Sequence, residues 1–253
     1  MKVTDKFAWD LERFGFWPPK RLLTNKDLKP ILVNSIPKSG THLIESLLCK
    51  NGPFYRPMAP TFNPRLHTEE RLADAIKNLR SNQMLFSHFP YSKRLADVIQ
   101  KSGVTFLFII RDPRDIVVSN AHFIPTLEKH VHHNAIGDLP FKQRLDILIR
   151  GSNQHNVPSV FDKTNPFTPW LDEPGITVRF EYLSRSASDS ERNNETLRLL
   201  KYVGVEKTNA SLNREGSSTT FRKGVSGDWA NSLSSEQVQL FETEELLRKL
   251  GYA

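Results

Sequence analysis

Ile31 to Leu48 reads ILVNSIPKSGTHLIESLL. An apolar run ends at Ile36, a tight turn Pro37-Lys38-Ser39-Gly40-Thr41 follows, and Leu43, Ile44, Leu47 and Leu48 then recur at helical spacing. The stretch is strand, loop, helix. A helix N-terminus leaves backbone N–H groups unpaired and carries a partial positive charge. Gly40 lets the backbone approach a ligand closely, and Lys38 adds a full charge, so the loop suits a phosphate group.

Outward from this unit the pattern repeats. Gly52-Pro53 ends the first helix, and Thr68-Glu69-Glu70 opens a second that runs to about Arg80. Gln83 to Phe89 reads as a buried strand, Lys93 to Lys101 as a short helix, and Val104 to Ile110 (VTFLFII) as the clearest buried strand in the chain. Arg111 to Asp115 is the turn after it, and Ile116 to Phe123 reads as a helix with Pro113 near its first turn. A helix is expected over 141–150, a loop with four prolines over 151–175, a strand over 176–180, and helices from about 191 to 203 and 235 to 250. Buried strands alternating with helices predict an α/β fold: a central, mainly parallel sheet flanked by helices in a single P-loop-like domain over residues 1–253. Residues 1–30, rich in aromatics, are expected to pack on the core or on an acceptor pocket.

The composition narrows the function. A chain of 253 residues buries a sizeable core. It contains no apolar run of the about 18 residues that a membrane span needs, and its first residues lack the apolar centre of a signal peptide. The single cysteine, Cys49, rules out an intramolecular disulfide, falls on the apolar helix as a core residue, and fits a cytoplasmic protein. The net charge of +7 indicates an anionic partner. The charges are dispersed and no basic stripe with interleaved aromatics occurs, which argues against nucleic acid.

In such sheets ligands bind beyond the carboxyl ends of the strands. The informative residues are therefore Pro37 to Thr41, His88, Arg111 with its neighbours, and Phe180 to Tyr182. These positions resemble the cytosolic-type sulfotransferases, which move a sulfuryl group from 3′-phosphoadenosine-5′-phosphosulfate (PAPS) to an acceptor hydroxyl or amine. The family's PKSGT stands at Pro37 to Thr41, its strand-end Ser/Thr-His-x-Pro at Ser87 to Pro90, its R-[DN]-P-[RK]-D-x-x-x-S at Arg111 to Ser119, and its RKGxxGDW at Arg222 to Trp229. Four motifs in the family's order cover the chain from about residue 30 to 245. One short motif alone would carry little weight.

The resemblance implies roles. Lys38, Ser39, Gly40, Thr41 and the adjoining His42 would face the phosphosulfate end of PAPS, and Arg111, Ser119, Phe221, Arg222, Lys223 and Gly224 its 3′-phosphate. Phe180 would pack against the adenine. Lys38 and His88 would be catalytic, His88 as the general base, and sulfuryl transfer needs no metal. Without the resemblance, a lone His88 reads first as a core histidine held by a carbonyl, while an exposed turn residue is the lesser reading of Lys38. Arg114 is expected to pair with Asp112 or Asp115. His130, His132 and His133 are read as a solvated loop near the acceptor mouth, since structural-zinc spacing is missing.

Three features depart from the pattern or leave it open. His42 and Leu43 stand where the family often has Thr and Trp. The usual dimer motif KxxxTVxxxE is missing after Trp229, so either a monomer or a dimer is compatible. The acceptor is expected to be a small, partly apolar molecule, its pocket drawn from Phe14, Phe16, Trp17, Tyr55, Phe89, Tyr91, Phe123, Phe161 and Trp170. A nucleoside-triphosphate kinase would need its lysine directly after the second glycine, whereas Lys38 precedes Gly40. A non-catalytic anion-binding protein is the third reading.

Overall fold

The computed structural model describes residues 28–211 and 224–253. Four strands, β1 (Ile31–Ser35), β2 (Met84–Ser87), β3 (Thr105–Ile110) and β4 (Ile176–Arg179), form one sheet in the order β2-β1-β3-β4, and every neighbouring pair is parallel. The fold class is the one expected. Parallel strands need crossovers, and helices supply them: α1 (Thr41–Asn51) follows β1, α2 (Glu69–Lys77) and α3 (Lys93–Ser102) flank β2, and α4 (Pro113–Phe123) follows β3.

Both faces of the sheet are buried, which explains why its strands are continuous apolar runs. Side chains alternate between two core clusters: Leu32, Leu85, Phe106, Phe108 and Ile110 face one, and Ile31, Val33, Met84, Phe86, Leu107 and Ile109 the other. The first cluster is closed by α2, α3 and α4 through Leu72, Ile76, Leu95, Ile116 and Val117. The second is closed by α1 through Ile44 and Leu48 and by the helix Asp189–Tyr202 through Leu199 and Leu200. Cys49 is buried in it, as its place on the apolar helix implied.

Two stretches differ from expectation. Residues 151–175 are not all loop: Val160–Thr164 is helical and Asn165–Asp172 is a 3₁₀ helix. Ser159 and Asp162 form a reciprocal capping box, and Pro166 occupies the first turn of the 3₁₀ segment, where a missing N–H costs nothing. The C-terminal helix is two pieces, Ser235–Glu242 and Leu246–Leu250. At the seam Thr243 turns its hydroxyl back onto the Leu240 carbonyl, beside the clustered Glu242, Glu244 and Glu245. Phe14, Phe16 and Trp17 lie outside the described residues, as do Phe221, Arg222 and Lys223.

Candidate active site

The carboxyl ends of β1, β2, β3 and β4 deliver the site. After β1 the chain turns through Lys38 at φ +71° and Gly40 at φ +97°, both in the left-handed region. That conformation is costly for lysine, by about 1–3 kcal/mol where it is held, and easy for glycine. A Cβ on Gly40 would stand 2.5 Å from Cδ2 of Phe180, so only glycine fits against that ring. Gly40 caps α1 with its backbone alone; no side chain caps this helix. Ser39 is fully buried, and its hydroxyl has no hydrogen-bond partner among the described residues. Buried hydroxyls are normally satisfied, so a missing partner here needs a reason.

Lys38 is half-buried, with its Nζ 3.5 Å above the centre of the Phe123 ring. Burial, and then the charge of Arg111, press its pKa down to about 8. Arg111 reaches across from the end of β3. Its Nη1 donates to the Lys38 carbonyl (3.2 Å), its Nη2 donates to the Val225 carbonyl (3.0 Å), and its guanidinium stacks on Phe180 at 4.2 Å. Arg111 and Phe180 thus stand against the first loop.

Gly224 takes a left-handed φ of +65°, and its carbonyl accepts from Arg185 N–H at 2.8 Å. Just beyond it, Asp115 anchors the segment by accepting from the N–H groups of Gly227 (2.8 Å) and Trp229 (3.0 Å). Burial raises the Asp115 carboxyl pKa despite the nearby Arg111. Arg114 clasps Asp112 in a bidentate pair, one of the two pairings expected, and covers Trp229 at 3.9 Å. Ser119 is half-buried on α4, with no hydrogen bond joining it to Arg111 among the described residues.

His88 follows β2 directly. Its Nδ1 lies 3.0 Å from the Ser35 carbonyl and 2.9 Å from the Ser35 hydroxyl. A carbonyl only accepts, so the neutral ring carries its proton on Nδ1 and its lone pair on Nε2. Burial lowers the His88 pKa to about 4, with the Ser35 contact opposing and His42 and Lys38 reinforcing, so the ring is neutral near pH 7. Ser35 Oγ in turn lies 3.0 Å from Thr41 Oγ1, which couples the histidine to the loop after β1. Asn34 bolts the two strand ends together: its side chain donates to the Phe89 carbonyl (2.9 Å) and accepts from Ser87 Oγ (2.8 Å) and Phe89 N–H (3.0 Å).

Sequence reasoning missed Asn34, Ser35 and Asp115. The available signal was two polar residues closing an otherwise apolar strand, which then had to be satisfied locally.

Lys38 and His88 share a cavity of about 740 Å³, walled by Ile36, Val117, Ile124, Leu148, Val160 and Phe167. Of the aromatics expected there, Phe123 lines it. Tyr55, Phe89 and Trp170 are buried in the core, Tyr91 packs on Trp170 and Phe161 on Phe241. The core competes for the same residue types and took them. The histidine segment is not a solvated loop either: His132 is buried, and it lines the cavity with His130. His42 is partly exposed and stands 3.5 Å from the buried Glu45. No group of three or more metal-ligating side chains occurs among the described residues, and no described helix is long and apolar enough to cross a membrane.

Known proteins are similar to this chain in sequence and in fold. The sulfotransferase domain model matches residues 28–172. Cytosolic sulfotransferase 15 of Arabidopsis thaliana is 22% identical, over 83% of this chain and 68% of its own length. Sulfotransferase 1 family member D1 of Rattus norvegicus is 22% identical, over 87% of this chain and 83% of its own. The crystal structure of a mouse sulfotransferase complexed with PAP superposes with a TM-score of 0.61 at 17% identity, covering 98% of this chain and 96% of that one, a likeness of fold. The chain belongs to the sulfotransferase domain family, of the kind represented by the cytosolic sulfotransferases.

Proposed function

We propose that the protein transfers a sulfuryl group from PAPS to a hydroxyl or amine of a small, partly apolar acceptor, with His88 as general base. The observation that carries this reading is the pairing, on one cavity, of the half-buried Lys38 with a neutral His88 whose Nδ1 is occupied by Ser35. PAPS, when bound, supplies an activated sulfuryl group on a phosphate leaving group.

The first loop fits an anion on three counts: a buried hydroxyl at Ser39 without a partner, a helix N-terminus without a side-chain cap, and a lysine held out of water. Lys38, Ser39, Gly40 and Thr41 would hold the 5′ phosphate, with His42 at the margin. Arg111 and Gly224, together with Ser119, Phe221, Arg222 and Lys223, would hold the 3′-phosphate, and Phe180 would pack against the base. His88 Nε2 accepts the acceptor's proton, while Nδ1–H donates to the Ser35 carbonyl and keeps the ring in the required tautomer.

His88→Ala is expected to lower turnover of a phenolic acceptor by about 10²–10⁴-fold while 3′-phosphoadenosine-5′-phosphate (PAP) still binds. Undiminished turnover would remove His88 from the chemistry.

A further inference from the structure

We infer that the acceptor carries an anionic group, a carboxylate or its like, seated by Lys163, Arg65 and His132 while its reacting hydroxyl or amine stands at His88. This rests on the reading above for the role of the cavity. It goes beyond that reading by naming the acceptor's charge.

Among the described residues the cavity wall includes Lys38, Arg65, Lys129 and Lys163 and no aspartate or glutamate. Arg65 and Lys129 are exposed, whereas Lys38 and Lys163 are half-buried. A cation drawn partly out of water without a carboxylate destabilises the protein, so a neutral apolar acceptor would not call for Lys163 in this wall. Lys163 sits on the short helix Val160–Thr164. The nearby carboxylate, Asp162, accepts instead from the Ser159 hydroxyl (2.7 Å) and N–H (3.1 Å). Nζ of Lys163 lies 3.2 Å from Nε2 of His132, so the ammonium donates to a neutral imidazole. Burial, and then the charge of Arg65, lower the Lys163 pKa to about 8. His132 is held near 4 by burial and by Lys163. An anion placed among these groups would relieve each of those penalties.

The cluster is also set apart from Lys38. Lys38 Nζ sits over Phe123, the Phe123 and His130 rings are 5.7 Å apart, and those of His130 and His132 are 5.6 Å apart. Two rings therefore intervene between the lysine of the first loop and the Lys163 group. The wall between is apolar, at Ile124, Leu148, Val160 and Phe167. The acceptor this describes has a nucleophilic end, an apolar body and an anionic end.

Calorimetric titration with 3-phenylpropionate and with its neutral amide, 3-phenylpropionamide, tests the charge directly. The acid should bind about tenfold more tightly than the amide, as one charge-assisted contact allows. Lys163→Met should erase that preference, Lys163→Arg should keep it, and Lys101→Met, on the far-lying α3, should leave it intact. Arg65→Gln, at an exposed position that folding does not need, should reduce it severalfold. Equal affinity for the two probes, or a preference that survives both Lys163→Met and Arg65→Gln, overturns the inference. Thermal stabilisation by PAP, measured on the same proteins, separates the two claims. An acid preference without a PAP shift leaves the anionic subsite standing and removes the sulfotransferase reading, and a PAP shift without an acid preference does the reverse. A loss of PAP affinity in Lys163→Met with the acid preference unchanged assigns the cluster to the donor and overturns the inference.

Discussion

The sheet presents two neighbouring strand–loop–helix units, β1 to α1 and β3 to α4, built on the same parallel topology and ending in opposite electrostatic states. In the second, Asp112 caps α4 by accepting from Arg114 N–H, Pro113 occupies the first turn, and the Arg114 guanidinium closes over the same carboxylate. That helix end is neutralised by its own side chains. In the first, among the described residues, α1 starts on Gly40 with no side-chain cap, Ser39 Oγ has no hydrogen-bond partner, and Lys38 Nζ stands over the face of Phe123. At one edge of the sheet, then, the second helix start is completed by its own side chains, while the first presents backbone donors and a lysine. Arg111 belongs to the second unit by sequence but reaches toward the first, where its guanidinium bonds the Lys38 carbonyl.

Breaking the first loop's charge should have the largest effect. Lys38→Met is expected to lower kcat by about 10²–10³-fold and to remove most of the stabilisation given by PAP. Steady-state rates and melting curves check both, and unchanged kinetics would make the two loops equivalent.

A second test uses acid. His88 titrates near 4 in the folded chain and near 6.5 when unfolded, so between these values the unfolded state takes up a proton that the folded state refuses. The stability associated with a neutral His88 is present above pH 6.5 and is lost as the pH falls to about 4. His88→Gln should therefore lose less stability than the parent over that window in urea unfolding. A constant difference between the two proteins would contradict the burial of the ring.

The smallest effects should have opposite signs in the two loops. Asp112→Ala removes a working cap and should cost about 1–2 kcal/mol. Ser39→Ala removes a buried hydroxyl without a partner and should leave the ligand-free protein as stable as before or up to about 1 kcal/mol more so, while shrinking the shift caused by PAP. Chemical denaturation of both variants, with and without PAP, compares them.

Much of this contrast was legible in the residues. Apolar runs marked β1 and β3, and the capping residue Thr68 marked a helix start. The order Lys38-Ser39-Gly40-Thr41 marked the turn between β1 and α1, and Arg114 paired within its own turn as its neighbours implied. What was not legible depends on three-dimensional competition. Phe89 and Trp170 have the composition of a pocket wall, yet the core claimed both. The prolines of 151–175 reads as loop from composition, although two of them sit within a 3₁₀ helix that forms because Phe167 and Trp170 bury there. Asn34 and Ser35 carry no motif. Their importance lies in what β2 brings opposite them, His88 above all.

The central claim is that the first loop and Arg111 together bind a nucleotide phosphorylated at both ends. The most direct measurement is the melting temperature in the presence of PAP, AMP or ATP at equal concentration, without magnesium. The account predicts a marked rise with PAP, little with AMP or ATP, and loss of the PAP shift in Lys38→Met. Equal shifts with all three nucleotides, or none with PAP, would contradict it.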